Sequence, residues 1–164
     1  MKIGLLSDTH GWLDDRVFVH FATCDEIWHA GDIGNVGVLE KLTDFKPLRS
    51  VYGNIDGPDI RGQCVENNFF GCEGMRILIT HIAGRPPHYT PAVRQMLAKH
   101  NLDMLVCGHS HILHVGYDPQ HDSLLYINPG AAGRYGIHQV RTLLSFEIQQ
   151  KRVHSMQAIE LGPK

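Results

Sequence analysis

No apolar run in this chain is long enough to cross a membrane or to form a signal-peptide core. Ile3-Gly4-Leu5-Leu6 starts one, but it stops at Ser7-Asp8, far short of the roughly 20 residues a spanning helix needs. Paired C-x-x-C spacing is also missing. Cys24, Cys64, Cys72 and Cys107 stand apart, so a cysteine zinc cluster is not expected and all four read as unpaired thiols in or near a core. Positive charge is not in excess either. The formal net charge is -2, with Lys and Arg scattered; a general nucleic-acid binder or a membrane-surface protein would show a basic stripe. Together these absences point to a cytoplasmic protein.

What is present fits an ordinary globular chain. The 164 residues are 43% hydrophobic and 20% charged, enough for one domain over residues 1–164 with a buried core, and far from a disordered composition. Self-association stays open. Histidine is the outlier, with twelve copies, several of them beside Asp, Asn and Gly in short clusters.

The first third reads strand-helix-strand-helix-strand: strands over 2–7, 26–29 and 48–52, helices over 12–22 and 36–45. In the first helix Val17, Phe18, Phe21 and Ala22 share one side. That alternation favours a parallel sheet with right-handed crossovers, whose polar turns after the strands are where ligand sites form. The remainder is richer in strands, over 68–72, 75–80, 103–107, 113–117, 123–128, 142–149 and 152–160, with one helix over 91–100. The expected fold is α/β, with two packed sheets and helices outside.

Five segments place a metal-competent side chain directly after a strand: Asp8-Thr9-His10, Gly31-Asp32, Gly53-Asn54, Thr80-His81 and Gly108-His109-Ser110-His111. Residues two apart on extended chain point to one side, so Asp8 with His10, and His109 with His111, can each aim a pair at one region. Gly31, Gly53 and Gly108 let the backbone turn and approach a charged centre closely. The segments supply two Asp, one Asn and four His. One ion rarely needs seven ligands; two octahedral ions sharing a carboxylate would use them. Nitrogen and oxygen donors without thiolate suit Mn first, then Fe, Ni, Co or Zn, over Ca or Mg.

In that order, Asp-x-His, Gly-Asp, Gly-Asn-x-Asp, a lone His after a strand and Gly-His-x-His resemble the calcineurin-like metallophosphoesterase superfamily. The stretches Ser7-Asp8-Thr9-His10-Gly11, His29-Ala30-Gly31-Asp32 and Asn128-Pro129-Gly130 are similar to its small YfcE-like phosphodiesterases. The resemblance implies a four-layer αββα sandwich of two mixed sheets flanked by helices. It also implies two metal sites, one held by Asp8, His10, Asp32 and His111 and the other by Asp32, Asn54, His81 and His109, with Asp32 as the bridge. Two positions depart from the pattern. Ile55 stands where many members carry a leaving-group histidine after the motif Asn. Ile82-Ala83-Gly84 follows His81, where many have Gly-His.

The implied activity is hydrolysis of a small phosphoester, a diester before a monoester, by in-line attack of a metal-bridging hydroxide on phosphorus. The catalytic set is then Asn54, Asp56, His81 and His109, with Asp56 orienting Asn54 or a neighbour. Arg134 is a candidate bidentate contact to phosphate. His88 and Arg85, flanking Pro86-Pro87, are candidates for shaping substrate access. His20, His29, His100, His114, His121, His138 and His154 read as structural or surface residues. The alternative is a non-catalytic interaction scaffold of the same fold, as in the retromer subunit of eukaryotes that resembles this family.

Overall fold

Alternation of side chains across two sheets builds the molecule. The computed structural model describes residues 1–164. Strands β1 (Lys2–Leu6), β2 (Glu26–His29) and β3 (Leu48–Ser50) run parallel, with α1 (Arg16–His20) and α2 (Val36–Phe45) in the crossovers. A short α3 (Pro58–Arg61) leads to a hairpin of β4 (Asn67–Cys72) and β5 (Met75–Thr80). A two-stranded ribbon, β6 (Gly84–Arg85) with β7 (His88–Tyr89), precedes α4 (Pro91–Lys99). β8 (Met104–Val106), β9 (Leu113–Asp118), β10 (Leu124–Pro129), β11 (Val140–Gln149) and β12 (Arg152–Pro163) complete the chain.

One sheet has the order β12-β11-β1-β2-β3 and the other β4-β5-β8-β10-β9. Both are mixed: β1-β2-β3 and β5-β8-β10 are parallel, and antiparallel strands flank them. Ile3 and Leu5, Ile77 and Ile79, Met104 and Val106, Leu125 and Ile127, and Leu144 and Phe146 point into the layer between the sheets. The intervening residues face outward, as period two requires. Leu143 shares one buried cluster with Val17 of α1, Phe21 just past its end, and Val38 and Leu42 of α2. Leu78, Leu105 and Tyr126 meet α4 through Val93. The result is the four-layer αββα order. The four cysteines are unpaired and buried, and no helix is long and apolar enough to cross a membrane.

The first helix and the third strand are shorter than expected, whereas the last two strands are longer, over Val140–Gln149 and Arg152–Pro163. The helix expected over 12–22 covers only Arg16–His20. Asp14 stops it from starting earlier: its carboxylate accepts from Arg16 N and Nε at 3.0 Å and from Arg141 Nη1 at 2.7 Å, competing with helical hydrogen bonds. Ala22, expected on the apolar side, is exposed while Val17 and Phe21 are buried. The third strand ends at Ser50, beyond which Val51 forms an isolated bridge to Val65. Neither α3 nor the β6–β7 ribbon was legible, being too short for a periodic signal.

All six parallel strands aim their carboxyl ends at one rim, where the loops after β1, β2, β3, β5 and β8 meet. Phe146 is fully buried between the sheets, its ring 5.7 Å from that of Trp28 and near perpendicular to it. Phe146→Ala is expected to lower the unfolding free energy by roughly 3–5 kcal/mol, measured by urea denaturation. A loss under about 1 kcal/mol would mean that this layer refills the space and does not set the fold.

Candidate metal centre

Five of the seven strand-end side chains are carried by residues at positive φ: Asp8 (55°), His10 (48°), Asp32 (53°), His109 (66°) and His111 (57°). Non-glycine residues rarely adopt this region, at a cost of about 1–2 kcal/mol each. Backbone and side-chain bonds hold them there. Asp8 N donates to Gly31 O and His10 N to Asp32 O, both at 3.0 Å. The buried Asp56 carboxylate accepts from Ile33 N, Gly34 N and Gly53 N at 3.1, 2.7 and 2.7 Å. It thereby ties the turn after β2 to the turn after β3, touching the backbone beside Asp32 and Asn54. Asn128 performs the same service on the other sheet, its amide donating to Gly108 O at 2.7 Å and to Ser110 Oγ at 3.1 Å.

Close approach is what the glycines provide. A Cβ on Gly53 would lie 2.0 Å from Asp32 Oδ1, and one on Gly108 would lie 1.9 Å from Ser7 Oγ. Gly31 alone of the three also needs a left-handed turn, at φ 93°.

The seven side chains form two neighbouring groups. Ligand atoms of Asp8, His10 and His111 lie within 4.8 Å of one another, as do those of Asp32, His81 and His109. Asn54 joins the second group, its Oδ1 3.1 Å from His81 Nε2. Asp32 spans both: Oδ2 is 3.7 Å from His10 Nε2 and Oδ1 is 3.2 Å from His81 Nε2. Asp8 divides its labour. Oδ2 accepts from Ser7 Oγ at 2.6 Å and His109 N at 3.1 Å, and Oδ1 faces His111 Nε2 at 3.2 Å.

Proton accounting makes this arrangement informative. His81 Nδ1 lies 2.8 Å from Ala30 O. A carbonyl only accepts, so Nδ1 carries the proton, and in the neutral ring Nε2 has a lone pair. That lone pair faces Asp32 Oδ1 and Asn54 Oδ1, which are acceptors as well. Without a cation between them such atoms repel or capture a proton. The pKa shifts report that stress. Burial opposes charge on His81, but the Asp32 and Asp8 carboxylates outweigh it and raise its pKa. Burial would raise Asp32, but the His81 imidazole wins and lowers it. His109 is pushed down, by burial first and then by His81. The donor set of imidazole nitrogen and carboxylate or amide oxygen fits divalent transition metals.

The remaining sequence candidates fall in different places. His88 and Arg85, on the β6–β7 ribbon, line a cavity of about 480 Å³ with His109, Ser110 and His114. Asn54 and His81 border a second cavity of about 220 Å³ on the α4 side. Arg134 lines neither; its guanidinium lies 4.0 Å from the Trp12 ring centre. Ile55 is 47% exposed beside the site, and its N–H donates to Asp32 Oδ1 at 3.1 Å. Two histidines first assigned to structure or surface prove relevant. His138 contacts His111, and fully buried His29 braces two of the turns. His29 opens the stretch His29-Ala30-Gly31-Asp32, which was the available hint, whereas His138 lies in no motif.

Residues 1–151 match the calcineurin-like phosphoesterase superfamily domain. A probable metallophosphoesterase of Methanocaldococcus jannaschii is 31% identical, over 80% of this chain and 68% of that protein. A phosphodiesterase of the same organism is 25% identical, over 82% and 86%. Among solved structures, a novel archaeal phosphodiesterase superposes with TM-score 0.75 at 22% identity, covering 98% of this chain and 100% of the other. Zinc-bound Vps29 from Entamoeba histolytica gives 0.73 at 16% identity, covering 98% of each.

His29 yields a pH prediction. Gly31 N donates to its Nδ1 at 3.2 Å, so Nε2 carries the proton and donates to Thr9 Oγ1 at 3.0 Å. Burial, partly opposed by nearby Asp56 and Asp8, pushes its pKa down to about 4, against about 6.5 unfolded. The unfolded chain therefore takes up the proton first as pH falls. The stability is present above about pH 6.5 and drains away toward about pH 4. In urea unfolding at pH 7 and pH 5, wild type is expected to lose more stability than His29→Asn, which keeps an acceptor near the Nδ1 position but does not titrate. Equal losses would show that His29 is not held neutral.

Proposed function

The chain belongs to the calcineurin-like phosphoesterase superfamily, and from that premise we propose that it is a dimetal-dependent phosphodiesterase. One observation carries the proposal. Lone-pair atoms from five strand ends converge in two groups that share Asp32, with too few protons to reconcile them. Two divalent cations resolve that conflict. Asp8, His10, His111 and Asp32 would hold one, and Asp32, Asn54, His81 and His109 the other, with manganese the first choice. When bound, such a pair supplies Lewis acidity and lowers the pKa of a shared water toward about 7.

The chain's own residues supply placement. Two carboxylates against two divalent charges leave a net positive site that draws an anionic phosphoester. The two cavities flank the Asn54–His81–His109 side, which favours substrate entry there, with His88 and Arg85 along the larger one. Asp56 positions Asp32 and Asn54 through their neighbours' backbone. Ile55 offers no proton, so a leaving group departs as an anion or takes its proton elsewhere. Diesters with acidic leaving groups are therefore the favoured substrates.

The fold likeness to Vps29 supports a second reading, a binding scaffold. Turnover separates the two, because a scaffold hydrolyses neither diester nor monoester at any metal concentration.

With saturating Mn²⁺ at one pH, kcat/KM is expected to fall in the order bis(p-nitrophenyl) phosphate, p-nitrophenyl phosphate, alkyl monoester. Ile55→His should help the poorest leaving groups most, toward the low end of the about 10²–10⁴-fold that a positioned acid is worth. Preference of wild type for the alkyl monoester would assign protonation to another group, such as His88. In the same assay Asp32→Asn should abolish nearly all activity, and Asp56→Ala should cost about 10–100-fold. The reverse ranking would exchange their roles.

A further inference from the structure

His138 lies 27 residues beyond His111 and outside every motif, yet the two rings meet. Their centres are 5.2 Å apart and their planes 70° from parallel. The two Nδ1 atoms are 3.2 Å apart, and His138 Nε2 is 2.9 Å from Gly133 O. The Gly133 carbonyl accepts, so His138 Nε2 carries that ring's proton and its Nδ1 offers a lone pair. The contact then requires His111 to donate from Nδ1. That leaves His111 Nε2 unprotonated, facing Asp8 Oδ1 at 3.2 Å and His10 Nε2 at 3.3 Å. A metal needs this nitrogen free.

The loop that carries His138 is built for the contact. Gly136 has φ 128°, and a Cβ there would lie 1.9 Å from His111 Nδ1. The loop backbone therefore presses on the same nitrogen and shields it from water. Gly133 N donates to Asp8 O at 3.0 Å, and Lys164 Nζ donates to Gly136 O at 2.6 Å, anchoring the loop at both ends. The other group solves the same problem with main chain, since Ala30 O accepts the hydrogen bond from His81 Nδ1–H.

We propose that His138 is a positioning residue that locks His111 in its Nδ1–H tautomer and thereby sets the affinity of the Asp8–His10–His111 group for its divalent ion. The affinity part rests on the dimetal reading above; the tautomer part does not. Outer hydrogen-bond partners of metal-binding histidines fix tautomer and ring orientation and are worth about 10–100-fold in affinity.

The test has two readouts on the full chain. The first is long-range ¹H–¹⁵N correlation of the histidine rings in metal-free protein. The second is calorimetric titration with Mn²⁺. In wild type His111 should be the Nδ1–H tautomer and two ions should bind per chain. His138→Leu should release the tautomer and weaken one of the two ions about 10–100-fold, leaving the other unchanged. His138→Asn, whose Oδ1 falls near the lost Nδ1, should restore most of both. An unchanged His111 tautomer and unchanged affinities in His138→Leu would overturn the lock. No Mn²⁺ uptake by wild type, with the tautomer still released in His138→Leu, would overturn the dimetal reading and uphold the lock.

Discussion

Asp32 is 2% exposed and faces two ways, one oxygen toward His10 and the other toward His81. Everything around it serves to keep that carboxylate between the two groups. Gly53 makes room, since any side chain there would strike Oδ1. Ile55 N–H fixes Oδ1, and Asp56 ties the backbone on both sides. A buried carboxylate in such company is costly unless its charge is answered. Within the protein His81 is the imidazole that faces Oδ1, at 3.2 Å. A pair of cations would answer the charge more fully, and would return five strained residues something for their unfavourable backbone.

The strain and the fold are linked. Parallel strands end abruptly at one rim, and the chain must turn there within one or two residues to start a crossover. Left-handed residues make those turns. In most proteins glycine takes such positions; here Asp8, His10, Asp32, His109 and His111 do. Side chains at these positions leave the strand axis and point across the rim instead of into the core. Two sheets packed face to face bring the β1, β2 and β3 ends opposite the β5 and β8 ends, so neither sheet alone contains a complete group.

How much of this could be read beforehand follows from range. The strand-end clusters were legible because each is local: a strand of apolar residues, a glycine, serine or threonine, then Asp, Asn or His. The four-layer order came from the family resemblance, because apolar runs such as Ile77-Leu78-Ile79 and Leu125-Tyr126-Ile127, buried on both faces, do not show which face meets the other sheet. What was missed depends on distant partners. The shortened α1 reflects Arg141 reaching Asp14 across 127 positions. His138 acquires its place only through a loop that folds back onto His111. Arg134, a candidate phosphate contact because it follows Asn128-Pro129-Gly130, also stacks on Trp12, a contact no spacing rule reveals.

The central claim is that Asp32 bridges two ions. Electron paramagnetic resonance of the protein loaded with Mn²⁺ tests it directly, because two ions sharing one carboxylate are magnetically coupled. The account predicts a coupled dinuclear spectrum at two Mn²⁺ per chain, replaced in Asp32→Asn by the signal of isolated ions or of free Mn²⁺. An isolated six-line spectrum in wild type, saturating at one ion per chain, would contradict it.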